Sequence, residues 1–455
     1  MTRKRGARPR GGGQCSQPLP LRTKILYASS SLGSEALTQS RGLWLIYYYA
    51  PPEDADLEQQ LPRLLIGALL VVGRLLESFD DALIGYWSDR TRSRLGRRIP
   101  FIVGATPFWA LFAVLLFVPP DAGTAGTAIY FFIALELFFV FATLSGGPYE
   151  ALLPEIAPRN DDRVKVAGIR VYFGAAGAGI GLVASGLLVD TIGYAGMALV
   201  IAALALTTRY VGLAGVWERA KRSRTPAEIS FGDAMRATFS NRAFLLFLPT
   251  FVLFQIGFQV LVGVLPFYVN AVLRIEDEGT WVAVLTAVAL CSMLAALPLF
   301  GRLALRTSKR HAYRTALLAS ALLFPVAAIP GLVPGVPAEA ELIAAMVIVG
   351  APIAGNYLFP AVLTADIIDD DSARTGLRRE ATFYGAQNFV EKTATSLAPL
   401  ILVLLLLLGD TADDTLGIRL VGPVAGLIAA IGYLIFRRYE LPDQVPARVL
   451  PVTPG

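Results

Sequence analysis

The chain has 455 residues, 55% of them hydrophobic and only 16% charged, with a net charge of +5. Soluble globular chains carry about 25% charged residues, so these figures exclude an ordinary soluble enzyme, a disordered protein and a secreted disulfide scaffold. One histidine and two cysteines (Cys15 and Cys291) leave no His-based metal site, no Ser-His-Asp relay and no disulfide framework, and no cofactor is expected.

Residues 1–24 form a basic, polar tail with Arg3, Lys4, Arg5, Arg8 and Arg10, and no apolar signal-peptide core. The tail reads as a cytoplasmic segment near anionic lipid, not as a nucleic-acid contact. Apolar runs follow, each near the ~20 residues that cross a bilayer. They predict an all-α membrane protein of twelve transmembrane helices. The spans fall at about 25–50, 62–87, 99–119, 127–150, 164–190, 194–217, 242–270, 279–304, 311–333, 339–368, 381–408 and 416–437. Basic residues gather in alternate loops: Arg90, Arg92, Arg94, Arg97 and Arg98, then Arg219, Lys221, Arg222 and Arg224, then Arg302, Arg306, Lys309 and Arg310. By the positive-inside rule both termini are cytoplasmic and the protein is integral to the plasma membrane.

Each charge inside a span costs roughly 2.5–3.5 kcal/mol on insertion scales, so the charged spans are informative. Helix one carries Glu35 and Arg41 and ends in Tyr47, Tyr48 and Tyr49, which read as an interfacial aromatic belt. Helix two carries Arg74, Glu77, Asp80 and Asp81. The spacing i, i+3, i+4 places the three acids on one face, with Arg74 one turn earlier. Such acids repel unless a cation or protons sit among them, which is what a Na⁺ or H⁺ coupling site requires. The competing reading is a static Arg74–Glu77 ion pair. Glu136 on helix four has no assigned role. Arg209 on helix six and Arg41 are packing or snorkelling candidates. His311 stands alone in a basic loop. On helix ten, Tyr357 neighbours Asn356 and Gly355. Helix eleven carries Gln387, Asn388, Glu391 and Lys392. Lys392 needs an acid or a cavity; Glu391 is adjacent and diverges by about 100°, so a helix-two acid across a cavity is the better partner.

The chain also repeats. ALLPEI at 151–156 resembles VLTADI at 362–367, VYFGA at 171–175 resembles TFYGA at 382–386, and Arg163 corresponds to Arg374. Both matches share an offset of 211 residues (362 − 151 and 386 − 175). A six-helix unit duplicated in parallel implies two bundles, 25–217 and 242–437, joined by a cytoplasmic linker, 218–241, and ending in a tail, 438–455.

RLLESFDDALIGYWSDRTRSRLGRR at 74–98 resembles helix two and the next loop of the glycoside–pentoside–hexuronide:cation symporters, whose best-known members are the melibiose permeases. PYEALLPE at 148–155 and ADIIDDDSARTGLRREATFYGAQNFVEK at 365–392 agree, and the similarity spans nearly the whole chain. The resemblance implies a major facilitator fold and cation-coupled symport of a sugar by alternating access. It implies a cation site at Glu77, Asp80, Asp81 and Thr143. It implies a solute site at Glu35, Arg170, Tyr357, Gln387, Asn388 and Lys392, and a gating loop at Asp89, Arg90, Arg97 and Arg98. The branch's helix-four acid is Gly146 here, and Glu150 is its candidate replacement. The partners expected are a small solute and membrane lipid, with the chain a monomer. A lysolipid as solute, and a sensor that binds without transporting, are the alternatives.

Overall fold

The computed structural model describes residues 18–91, 93–157, 160–222, 239–275, 277–375 and 380–441. Side chains at 78–90, 154–155, 160–161, 164, 222 and 380–382 lie outside the described residues, as do residues 1–17 of the expected tail at 1–24, residues 442–455 of that at 438–455, and residues 223–238 of the expected linker at 218–241. The described elements are helical. They comprise α1 (Leu21–Tyr49), α2 (Arg63–Arg90), α3 (Ile99–Leu115) and α4 (Gly123–Glu150). α5 begins with Asn160–Gly179, passes a π turn at Ile180–Ala184 and continues to residue 192; α6 covers 194–222. α7 is Arg242–Gly263, prolonged by Leu265–Tyr268 and Val269–Leu273. α8 is Glu278–Arg306, α9 Lys309–Leu323 and α10 Ala338–Thr375. α11 is Glu380–Thr395, prolonged by Leu397–Leu406, and α12 is Leu416–Phe436. Among the described residues seven helical stretches are long and apolar enough to cross a membrane.

Local chemistry sets the ends. The Asn241 side chain accepts the Phe244 N–H at 3.2 Å and starts α7. Ser308 accepts the His311 N–H at 3.0 Å, so His311 lies in the first turn of α9 and not in a loop. Gly193, at φ +72°, makes the break between α5 and α6 that a residue with a Cβ adopts only under strain. The repeat motifs differ in setting. The first follows the end of α4, whereas Val362–Ile367 lies inside α10, which runs seven residues past the expected end at 368. Arg163 donates to the Ala157 carbonyl at 2.7 Å, while Arg374 pairs with Asp370 at 2.6 Å.

α1 packs on α5 and α6, α3 on α4, and α2 on α4. In the later half α8 packs on α10, α7 on α12, and α9 on α10 and α12. Helices far apart in the chain also meet, along α1/α7, α2/α11 and α5/α8. These three seams position the site.

The tyrosine run corrects an expectation. Tyr47 and Tyr49 are fully buried, not an interfacial belt. Trp44 meets Tyr47 and Tyr194 edge-on, Tyr49 meets Phe131, and Tyr47 meets Phe267 of α7. Sequence position puts the run near a helix end but does not say which face α1 turns to its neighbours.

Next to this cluster Arg63 pairs with Asp410 at 2.6 Å, and Asp54 accepts the Ala412 N–H at 2.7 Å. Burial pushes the Asp410 carboxyl up to about 6, with Asp54 and Glu53 adding to the rise and Arg63 opposing it. Its ordinary value is 3.8, so between these values the folded protein holds a proton that the unfolded chain releases. Stability carried by this group is present at the acid end of that window and is lost as pH rises through about 6. The melting temperature of the wild type should therefore rise relative to Asp410→Asn as pH falls from 7 to 4. A difference that stays constant over that range contradicts the assignment.

Candidate functional site

Glu77 is the centre of the buried charge. It is 5% exposed, on the face of α2 that looks into the seam with α11. Arg74, one turn earlier, donates to it at 2.8 Å. The Lys392 ammonium, from α11, reaches it at 3.3 Å. The Arg74–Glu77 pair therefore exists, and Lys392 finds its acid partner on α2 across the seam. One carboxylate answers two cations, which offsets the desolvation cost of each. The Arg74 guanidinium also lies 5.0 Å from the Phe139 ring centre, and Arg41 lies 5.4 Å from both Phe138 and Phe139. Arg41 is buried within electrostatic reach of Glu77, and its Nε has no hydrogen-bond partner. It does not snorkel; aromatic faces hold it.

Asp80 and Asp81 follow Glu77 on α2, and Asp89 and Arg90 end that helix, but their side chains lie outside the described residues. Thr143 is buried on α4. Arg97 and Arg98 are buried at the start of α3, and the loop before them packs on α6: a Cβ on Gly96 would stand 3.0 Å from the Ala220 carbonyl oxygen.

A second charged group lies on α4 and α5. Arg170 grips Glu150 with both terminal nitrogens, Nη1 to Oε2 at 2.6 Å, and its Nε donates to Ser31 at 3.1 Å. Glu150 thus carries the charge that Gly146 lacks, one helical turn later. Space is open at Gly146 and Gly147: a Cβ on either would meet nothing within 4 Å. Tyr27 and Tyr149 stack at 4.8 Å and exchange hydroxyl-to-carbonyl hydrogen bonds of 2.8 and 2.7 Å, fixing α1 to the end of α4. Arg209 stacks on Trp109 and Tyr149 and donates to Ser34 at 3.0 Å, a packing role.

Between these groups, Glu35 on α1 bonds to Gln39 and lies within electrostatic reach of Glu391, Arg170 and Glu150. Glu391 accepts from Gln255 of α7 at 3.0 Å. Tyr357 is 46% exposed, its ring edge-on to Phe258 at 5.7 Å, and it interacts electrostatically with both Glu35 and Glu391. Asn388 is exposed. Gln387 is not at this surface: it is buried and accepts the Thr364 hydroxyl at 2.9 Å, tying α11 to α10. Adjacent helix positions point about 100° apart: Gln387 turns to Thr364 of α10, while Asn388 is exposed. Sequence reasoning missed Gln255 and Ser31. Gln255 carried a signal, a polar side chain in the apolar run FVLFQIGFQ; Ser31, in a serine-rich turn of α1, carried none.

A family described as MFS/sugar transport protein matches residues 26–432. The chain belongs to this major facilitator family, and its likeness to the melibiose-permease branch is borne out. The family is one of integral membrane transporters, not enzymes. The chain is 26% identical to the uncharacterized symporter YnaJ of Bacillus subtilis, over 82% of this chain and 80% of that one. It is 22% identical to the sodium-dependent lysophosphatidylcholine symporter 1 of Gallus gallus, over 73% of this chain and 69% of that one. Its fold matches the crystal structure of the nucleoside transporter NupG with a TM-score of 0.62 at 13% identity, covering 92% of this chain and 99% of the other.

Proposed function

We propose that this protein is a symporter that couples entry of Na⁺ or H⁺ to uptake of a sugar or glycoside by alternating access. Twelve spans form two six-helix bundles, α1–α6 and α7–α12, with both termini in the cytoplasm of a plasma-membrane monomer. The observation that carries this reading is the Lys392–Glu77 pair, an ion pair that crosses from one bundle to the other beside the acidic face of α2. A tethered ammonium occupies the carboxylate that a free cation would need. A cation arriving among Glu77, Asp80 and Asp81 competes with it, and the released Lys392 is then available to the solute. Cation and solute affinities are thereby linked, and by thermodynamic reciprocity each raises the other. Glu35, Arg170, Glu150, Asn388 and Tyr357 supply donors, acceptors and a ring for a hydroxyl-rich molecule, while the loop of Asp89, Arg90, Arg97 and Arg98 forms the cytoplasmic gate. A lysolipid is the second reading, favoured by the open space at Gly146 and Gly147 where the melibiose branch carries an acid.

The test is Asp81→Asn in proteoliposomes, with sugars and lysolipids as competing solutes. Gradient-driven accumulation should be lost while the variant still melts cooperatively. Cation dependence that survives unchanged overturns the coupling site. Inhibition by lysolipids and not by sugars replaces the solute.

A further inference from the structure

Among the described residues the three seams are bonded at the end where α1 turns into α2, α5 into α6, α7 into α8 and α11 into α12. There Asp190 of α5 accepts the backbone N–H groups of Gly279, at 2.9 Å, and of Thr280. Those are first-turn donors of α8, whose own N-cap residue, Asp277, makes no side-chain cap. The cap of α8 therefore comes from the opposite bundle. Beside it Gly186 and Gly279 meet backbone to backbone: a Cβ on either would fall well inside contact distance of the other's carbonyl oxygen. One turn away along α5 and two along α8, the Thr286 hydroxyl donates to the Leu182 carbonyl at 3.0 Å. Glu278 adds a bond from Tyr47 of α1 and one from Asn270 of α7, the latter 2.7 Å. Arg63–Asp410 and Asp54–Ala412 close the remaining seam.

We propose that Asp190 and the Gly186/Gly279 contact form a latch that shuts this end of the transporter by lending α8 its N-cap across the bundle interface. The device rests on the alternating-access reading above and deepens it. Opening this end pulls the exposed Asp190 carboxylate off α8 and leaves the Gly279 and Thr280 N–H groups to take water as their partner, so separation of this end and hydration of the α8 start are one event. Two glycines are required because any side chain at the crossing holds the backbones apart. The two variants therefore act differently: Asp190→Ala removes the attraction, whereas Gly279→Ala inserts a wedge.

The test reads accessibility and needs no transport. Ala283, 2% exposed and packed at the Gly186 crossing, is replaced by cysteine in a Cys15→Ser/Cys291→Ser background, and labelling by a small membrane-impermeant maleimide is timed in vesicles. Asp190→Ala should speed labelling about tenfold, the scale of one lost cap, and Gly279→Ala should speed it at least as much. Both variants must still melt cooperatively in detergent. Labelling at the parent rate in both overturns the latch, even if uptake is normal. Loss of uptake in the parent with faster labelling in both variants leaves the latch standing and counts against the transport reading alone.

Discussion

Replacing Glu77 by glutamine should abolish cation-driven accumulation and destabilise the protein. The substitution leaves Arg74 and Lys392, now 2.8 and 3.3 Å from this carboxylate, without it. Removing one partner of a fully buried ion pair costs about 3–5 kcal/mol; the cost here falls below that range, because the Lys392 side chain is 39% exposed and reaches water. Glu77→Gln alone can therefore fail by unfolding. The double variant Glu77→Gln/Lys392→Gln separates the two effects: it removes one cation along with the acid and should recover much of the stability, but not the transport. Thermal unfolding in detergent and uptake in proteoliposomes read the two independently. A double variant that still concentrates solute under a cation gradient contradicts the role of Glu77. One that melts no higher than the single variant contradicts the pairing.

The second large effect is expected at Trp44, far from the charges. Its side chain is fully buried, its indole N–H donates to Ser185 at 2.9 Å, and its ring lies edge-on to Tyr47 and Tyr194 at 6.3 and 5.7 Å. Trp44→Ala should cost about 3–5 kcal/mol, the range for truncating a large buried aromatic to alanine. Trp44→Phe keeps most of the packing and loses one hydrogen bond, about 1 kcal/mol. Denaturant unfolding in detergent measures both. A Trp44→Ala loss no larger than that of Trp44→Phe would mean that the aromatic cluster is not what holds α1 to α5.

The sequence made the helices legible because each is a long apolar run closed by charges or a capping side chain; most ends fall within about five residues of those expected. It made the Lys392–Glu77 pair legible for a related reason: an ammonium in an apolar helix requires an acid, and α2 supplies a whole acidic face. The Glu150–Arg170 pair was half legible. The absent acid at Gly146 pointed to Glu150 as its replacement, but which cation would grip it depended on the turn joining α4 to α5. Three features stayed out of reach. The burial of Tyr47 and Tyr49 depends on how α1 is rotated against α7. The burial of Gln387 against Thr364 depends on how α11 is rotated against α10. The Gly186/Gly279 contact joins residues 93 positions apart (279 − 186), and small residues in an apolar chain carry no pattern that marks a crossing.

The repeat shows the same division. Its offset of 211 residues pairs two segments in different settings: Arg163 lies in the first turn of α5, whereas Arg374 lies in the last turn of α10. Their partners differ, a backbone carbonyl in one half and Asp370 in the other, because α4 stops at Glu150 while α10 continues through Pro352 and Pro360 to Thr375. A shared motif fixes where the chain returns, not how each copy ends.

The most direct measurement is solute-library uptake by purified protein in proteoliposomes, first under an imposed Na⁺ gradient and then under an imposed pH gradient. Accumulation of a sugar above its equilibrium level under one of the two gradients is the predicted result, and it names the coupling ion. Specific binding of a sugar with no accumulation under either gradient would contradict symport and leave a membrane sensor in its place.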